Sequence, residues 1–211
     1  MPRIRKIDRS PKTGRNYYLI DACFLANKYI PPYVAPIGLQ RQRIERCMEW
    51  WEEIDQQIES RKARIYIPDI CIAETFKTLA KKYFEDHWFS SPNELNAARK
   101  QLREDIITPP RTMRAFRRDI KYHDISTSRD IIISVDRFFE LFQIHHLNVS
   151  LPDLIIVATA KYLMEFFDIP KERLHIITMD ENLWEGTKKI AELPPAYNPT
   201  QASDARNRIF R

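Results

Sequence analysis

Short apolar runs alternate with helical stripes along this chain, and that alternation limits the fold more than any other feature. Tyr17-Tyr18-Leu19-Ile20, residues 64–67, 120–125 and 174–178 read as strands. Between them apolar side chains return at helical spacing. The predicted helices are Ala22–Lys28, Leu39 to Lys62, Asp69–Phe84, Asn93–Glu104, Arg111–Arg118, Ser128–Ile144, Pro152–Phe167 and 182–189. Pro31, Pro32 and Pro36 stop the first helix, because proline lacks an N–H and clashes with the preceding turn. Asp69, just after Pro68, is the expected N-cap of its helix. The helix 152–167 is apolar almost all round and should be buried on both sides. Strands alternating with helices predict an α/β sandwich with a mostly parallel central sheet. The segment from Pro194 is rich in Pro, Asn and Arg and is expected to be irregular.

Composition removes several classes. An apolar share of 44% and a charged share of 30% over 211 residues suit one globular domain with an elaboration. No apolar run approaches the roughly 18 residues of a membrane span. No signal-like stretch follows the basic start, so a cytoplasmic location is expected. The glycines are Gly14, Gly38 and Gly186, too few and too scattered for a dinucleotide fingerprint or a phosphate-binding loop. Cys23, Cys47 and Cys71 have no paired spacing and are expected to be buried reduced thiols. His145 and His146 are adjacent, so on a helix their rings diverge and chelate poorly.

Charge is unevenly spread. The net charge is +5, yet residues 1–16 hold six basic side chains against Asp8 alone. Residues 99–121 hold eight against Glu104, Asp105 and Asp119. The remaining body is therefore acidic. Two basic segments around an acidic body fit a polyanionic partner, or else a solvated tail and a solvated helix face.

Four acids then stand out by position. Asp21 closes the first apolar run, Glu74 follows the second, Asp153 opens the run Leu154–Ala158, and Asp180 follows Ile176-Ile177-Thr178-Met179. In parallel α/β sheets ligands bind beyond the strand carboxyl ends, and these acids could share that edge. Each also has an ordinary explanation. Asp21 and Asp180 could cap the helices after them, Asp153 lies three residues after Ser150 at capping-box spacing, and Glu74 could be a solvated helix residue.

Taken together, these stretches resemble the PIN-domain nucleases, VapC-type toxins among them. The resemblance rests on Tyr18-Leu19-Ile20-Asp21-Ala22-Cys23, on Ile67–Glu74, on Leu151-Pro152-Asp153 with the run to Ala160, and on Ile176–Asp180. It spans roughly 17–84 and 120–190 in the family's order. It implies a three-layer α/β/α domain over 17–193, with 1–16 a basic extension, 86–118 a helical basic insertion and 194–211 a tail. It also implies that Asp21, Glu74, Asp153 and Asp180 hold Mg²⁺ or Mn²⁺, with Thr178 a supporting polar group. Hard divalent cations take carboxylate oxygens and keep several waters. The implied activity is a metal-dependent endoribonuclease whose products end in 5′-phosphate and 3′-hydroxyl. The implied partners are RNA and an antitoxin-like protein, and the 39–62 helix could supply a homodimer face. Cys23 departs from the family's usual Ser, Thr or Asn.

The predicted nucleic-acid contacts lie in the insertion. Arg111, Arg114 and Arg118 share one helical face, with Arg117 beside them, and would neutralise phosphates without reading sequence. Trp88, His123 and Phe116 are candidates to stack on bases, with core packing the stronger expectation for Phe116. Competing readings are a catalytically inactive RNA-binding or assembly module and a haloacid-dehalogenase-type phosphatase. The phosphatase chemistry wants an acid where Cys23 stands. A receiver-domain phosphoacceptor lacks its early acid pair here.

Overall fold

A computed structural model describes residues 14–106, 122–201 and 209–210. Its centre is a five-stranded, all-parallel sheet ordered β3-β2-β1-β4-β5. The strands are β1 (Asn16–Ile20), β2 (Ala63–Pro68), β3 (Tyr122–Ile125), β4 (Leu174–Ile177) and β5 (Ala196–Tyr197). The helices are α1 (Ala22–Lys28), α2 (Leu39–Glu59), α3 (Asp69–Phe84), α4 (Pro92–Ile106), α5 (Arg129–Ile144), α6 (Leu151–Phe166) and α7 (Glu181–Lys189). Helices on both faces of the sheet make the three-layer α/β/α architecture expected from the strand–helix alternation.

The central strand shows why the sheet is parallel and covered. All five residues of β1 are buried, as a strand sandwiched between helix layers requires. Its neighbour β4 is buried throughout as well. On α6 eight residues from Leu154 to Leu163 are buried, which matches its all-round apolar sequence. Phe24 of α1 stacks on Trp51 of α2 at 4.8 Å, joining those helices beside the sheet. Trp50 is also buried, with Phe210 edge-on at 5.4 Å, so neither tryptophan is free to form a dimer face.

Several elements differ from expectation. The segment after Pro194 contributes β5, which pairs with β4 through Ile176 and Ile177. Two residues are too short to show strand periodicity, and the pairing is supplied by the sheet edge. The polar helix α4 buries Leu95, Ala98 and Leu102. One apolar residue per turn is enough for a narrow packing stripe. Asp69 is the first residue of α3, not its cap; its carboxylate accepts from Thr127 N at 3.1 Å and from the Thr127 hydroxyl. It therefore ties α3 to the segment entering α5. Cys47 and Cys71 are buried as expected, but Cys23 is exposed. Among the described residues, no helix is long and apolar enough to cross a membrane.

Candidate metal centre

The order β3-β2-β1-β4-β5 places a topological switch between β1 and β4, where successive crossovers leave in opposite directions. A crevice opens at the carboxyl ends of such a pair. Asp21 follows β1 directly and Asp180 lies three residues beyond β4. The two strand ends are joined where Asp21 N donates to Ile177 O at 3.1 Å. α3 brings Glu74 to this edge and α6 brings Asp153. All four acids line one open cavity of about 440 Å³ with Cys23, Asn148, Val149 and Ser150.

Asp21 is the most constrained of the four. It is 4% exposed, and its Oδ1 accepts from Phe24 N at 2.7 Å, capping α1. Its Oδ2 accepts from Thr178 Oγ1 at 2.5 Å and Met179 N at 2.9 Å. Burial raises its pKa, and the bonds from Thr178, Phe24 and Met179 pull it back. Thr178, fully buried, also accepts from Asp180 N at 2.9 Å. One hydroxyl thus links the two strand-end acids. Asn198 closes the arrangement from behind, its Nδ2 donating to Met179 O at 3.5 Å.

Asp180 caps α7, its Oδ1 accepting from Leu183 N at 2.7 Å. Asp153 and Ser150 form a reciprocal capping box: Ser150 N and Oγ donate to Asp153 Oδ2, at 3.1 Å and 2.5 Å. The capping explanation is therefore correct for three of the four acids, and it does not compete with their convergence. A carboxylate has about four lone-pair sites, so a cap leaves acceptor capacity unused.

The acids sense one another electrostatically. Burial pushes the Asp153 carboxyl up to about 6, the Ser150 bonds oppose this, and the charges of Asp180 and Asp21 add to it. Glu74 is raised by burial and then by Asp153, against Lys77. The Cys23 thiol, whose residue is exposed at the lip, is pushed up to about 12. Desolvation of the sulfur comes first, followed by Asp21, Asp153, Glu74 and Asp180. Four carboxylates facing one opening make a strongly negative site that a cation would relieve.

Carboxylates are the donor type that hard divalent ions take. Among the described residues, no group of three His, Cys, Asp or Glu side chains is drawn together as a ready chelate. The donors on offer to Mg²⁺ or Mn²⁺ here would be one or two carboxylates at a time, with water in the remaining positions. The polar residues Asn148 and Ser150 on the cleft wall were not assigned to the site from sequence; only Ser150 had a local signal, as the first half of a capping box.

The expected nucleic-acid residues fare differently. Arg111, Arg114, Arg117, Arg118 and Phe116 lie outside the described residues. Trp88 is half-buried with Lys82 Nζ 3.6 Å above its ring, which occupies a face that stacking would need. His123 sits on β3, tilted against Tyr66 at 5.6 Å, and burial and then Arg64 lower its pKa to about 4. Neither side chain is a free stacking platform.

No protein-family model matches the sequence, and no curated protein matches it. Solved structures do. The chain superposes on a chain of FitAcB from Neisseria gonorrhoeae with a TM-score of 0.52 at 15% identity, covering 88% of this chain and 99% of that one. For VapBC2 from Rickettsia felis, bound to a DNA fragment from their promoter, the TM-score is 0.50 at 12% identity, covering 86% and 98%. For FitAB bound to an IR36 DNA fragment, it is 0.53 at 14%, covering 88% and 97%. At such identities the likeness is one of fold, and the fold is PIN-like.

Proposed function

We propose that this chain is a metal-dependent endoribonuclease of PIN type that hydrolyses RNA phosphodiester bonds at the carboxylate cleft. The observation that carries this reading is the meeting of Asp21, Glu74, Asp153 and Asp180 in one open cavity at the topological switch of the sheet. A divalent cation there would lower the pKa of a bound water and offset charge on the leaving oxygen. Asp21 is oriented by Thr178 and Met179, so its carboxylate needs little reorganisation on binding. Asp153, with a pKa of about 6, is mostly ionised at neutral pH and can offer its carboxylate to a cation. Asp180 is fixed by the turn it caps, and Glu74 supplies the opposite wall.

We also assign the chain a toxin role with an antitoxin-like protein partner. The support is the fold shared over nearly the whole of the FitAB and VapBC2 chains. The decisive experiment incubates purified protein with end-labelled single-stranded and structured RNA in Mg²⁺, Mn²⁺ or EDTA. Cleavage in Mg²⁺ or Mn²⁺, with 5′-phosphate ends and loss in EDTA, is the expected result. Asp153→Asn should abolish it with the circular dichroism spectrum unchanged. Wild-type rates from Asp153→Asn in Mn²⁺ would show that this acid is misassigned.

The capping roles of Asp21, Asp153 and Asp180 favour one second reading, a PIN-fold module that binds RNA or assembles without cutting. It predicts RNA affinity that survives EDTA and no turnover in either metal.

A further inference from the structure

A second cavity of about 450 Å³ opens beside the carboxylate cleft, between α5 and the start of α6. Its walls are Ile132, Val135 and Phe139 on one side, and Val149 and Leu151 on the other. These are not side chains awaiting the rest of the fold. Ile132 is 57% exposed, Phe139 47% and Leu151 62%, and unlike the apolar side chains exposed elsewhere on the surface, such as Ile37 and Phe84, these line a cavity. Exposed apolar side chains gathered around one cavity offer a surface on which a flat apolar group can pack.

Two observations say what it binds. The first is continuity. Val149 lines both cavities, Ser150 lines the cleft and Leu151 lines the groove, so the two are adjacent along the chain and share a wall residue. A polymer held by a backbone phosphate in the cleft would bring its next base to the groove within one nucleotide's reach. The second is Asp136, the acidic side chain on the groove wall. Among the described residues it has no ion-pair partner, while its neighbour Arg137 turns to Glu192 at 2.8 Å. A protein partner over this groove would have to bring its own cation to that carboxylate, since an unpaired charge is costly to bury. A phosphate in the groove would be repelled by it. A flat apolar base with amino hydrogens on its edge meets both demands, since it stacks on Phe139 and donates to Asp136.

We propose that this groove seats the nucleobase next to the scissile phosphate, and that Asp136 selects a base carrying an exocyclic amine, cytosine over uracil. The proposal rests on the nuclease reading for the phosphate in the cleft. Its test does not need turnover. The methyl groups of Ile132, Val135, Val149 and Leu151 are labelled with carbon-13 and followed by NMR during titration with hexacytidylate or hexauridylate in Ca²⁺. Hexacytidylate should shift these methyls by ring currents and bind about tenfold more tightly than hexauridylate, the discrimination of one good base-edge contact. Asp136→Asn should bring the two affinities together, and Phe139→Ala should weaken both with the remaining methyl spectrum unchanged.

Binding of either hexamer without movement of the groove methyls overturns the proposal, as does an Asp136→Asn variant with the cytosine preference intact. Groove shifts that follow protein concentration instead of RNA assign the groove to a second copy of the chain, and also overturn it. Base-dependent shifts in a protein that cuts no RNA would sink the nuclease reading and leave the subsite standing. Cleavage with silent groove methyls would do the reverse.

Discussion

The two walls of the acidic cleft are built on different principles. On the strand side, Asp21 is buried, capped onto α1 and held by Thr178 and Met179. On the helix side, Glu74 is half-exposed, with only Lys77 offsetting the repulsion of its neighbours. The strand wall is integral to folding: its carboxylate satisfies backbone groups that would otherwise be orphaned. On the helix wall Asp153 caps the start of α6, whereas no described backbone group depends on Glu74. The cation of the proposed function would relieve the repulsion that Lys77 leaves at Glu74.

Mutations can break that contrast, beginning with the strongest. Asp21→Ala leaves Phe24 N, Met179 N and the Thr178 hydroxyl without their acceptor. Thermal or denaturant unfolding should show a loss of about 2–4 kcal/mol, on top of lost cleavage. Next is Gly186 of α7, where an added Cβ would stand 2.1 Å from the Phe142 ring. Gly186→Ala should cost about 1–3 kcal/mol by overpacking, and its shift of α7 should disturb Asp180 at that helix's N-terminus. Thr178→Val removes a donor to Asp21 and an acceptor for Asp180 N, and should cost about 1–2 kcal/mol.

The helix wall should respond through pH and metal more than through folding. Asp153 has a folded-state pKa of about 6, above the unfolded value of about 3.9. Between those values the folded state binds more protons than the unfolded one. Its contribution to metal-free stability is therefore full below about pH 4 and is lost as pH rises through about 6. Asp153→Asn should flatten that slope in unfolding measured from pH 4 to 7, and Mn²⁺ should restore stability above pH 6. The smallest effect on folding belongs to Glu74→Gln, within about 0.5 kcal/mol of wild type. If Glu74→Gln unfolds as easily as Asp21→Ala, the contrast between the walls is wrong.

Much of the cleft was legible in the chain because local rules mark it. Apolar runs ending in Asp21 and preceding Asp180 announce strand ends, and Ser150 with Asp153 announces a helix start. The sheet edge that gathers them follows from strand–helix alternation. Other features had no local mark. β5 is two residues stabilised by pairing with β4. Asn198 supports Met179 from nineteen residues away. Trp88 and His123 carry the chemistry of stacking, yet Lys82 and Tyr66 take their ring surfaces. Exposure of an aromatic ring is a property of its neighbours, and those come from distant elements.

Sequence by itself determined the α/β class, the caps at Asp21, Ser150 and Asp180, and the positions of four acids relative to strand ends. These depend on short-range periodicity and hydrogen bonding within a few residues. Only the tertiary structure decided that Glu74 and Asp153 face Asp21 and Asp180 across one cavity, since helix phase and crossover direction are set by packing. Tertiary structure alone also placed the open groove beside them. The exposed side of α5 reads like any apolar stripe, and whether a stripe is covered depends on what the rest of the chain leaves free.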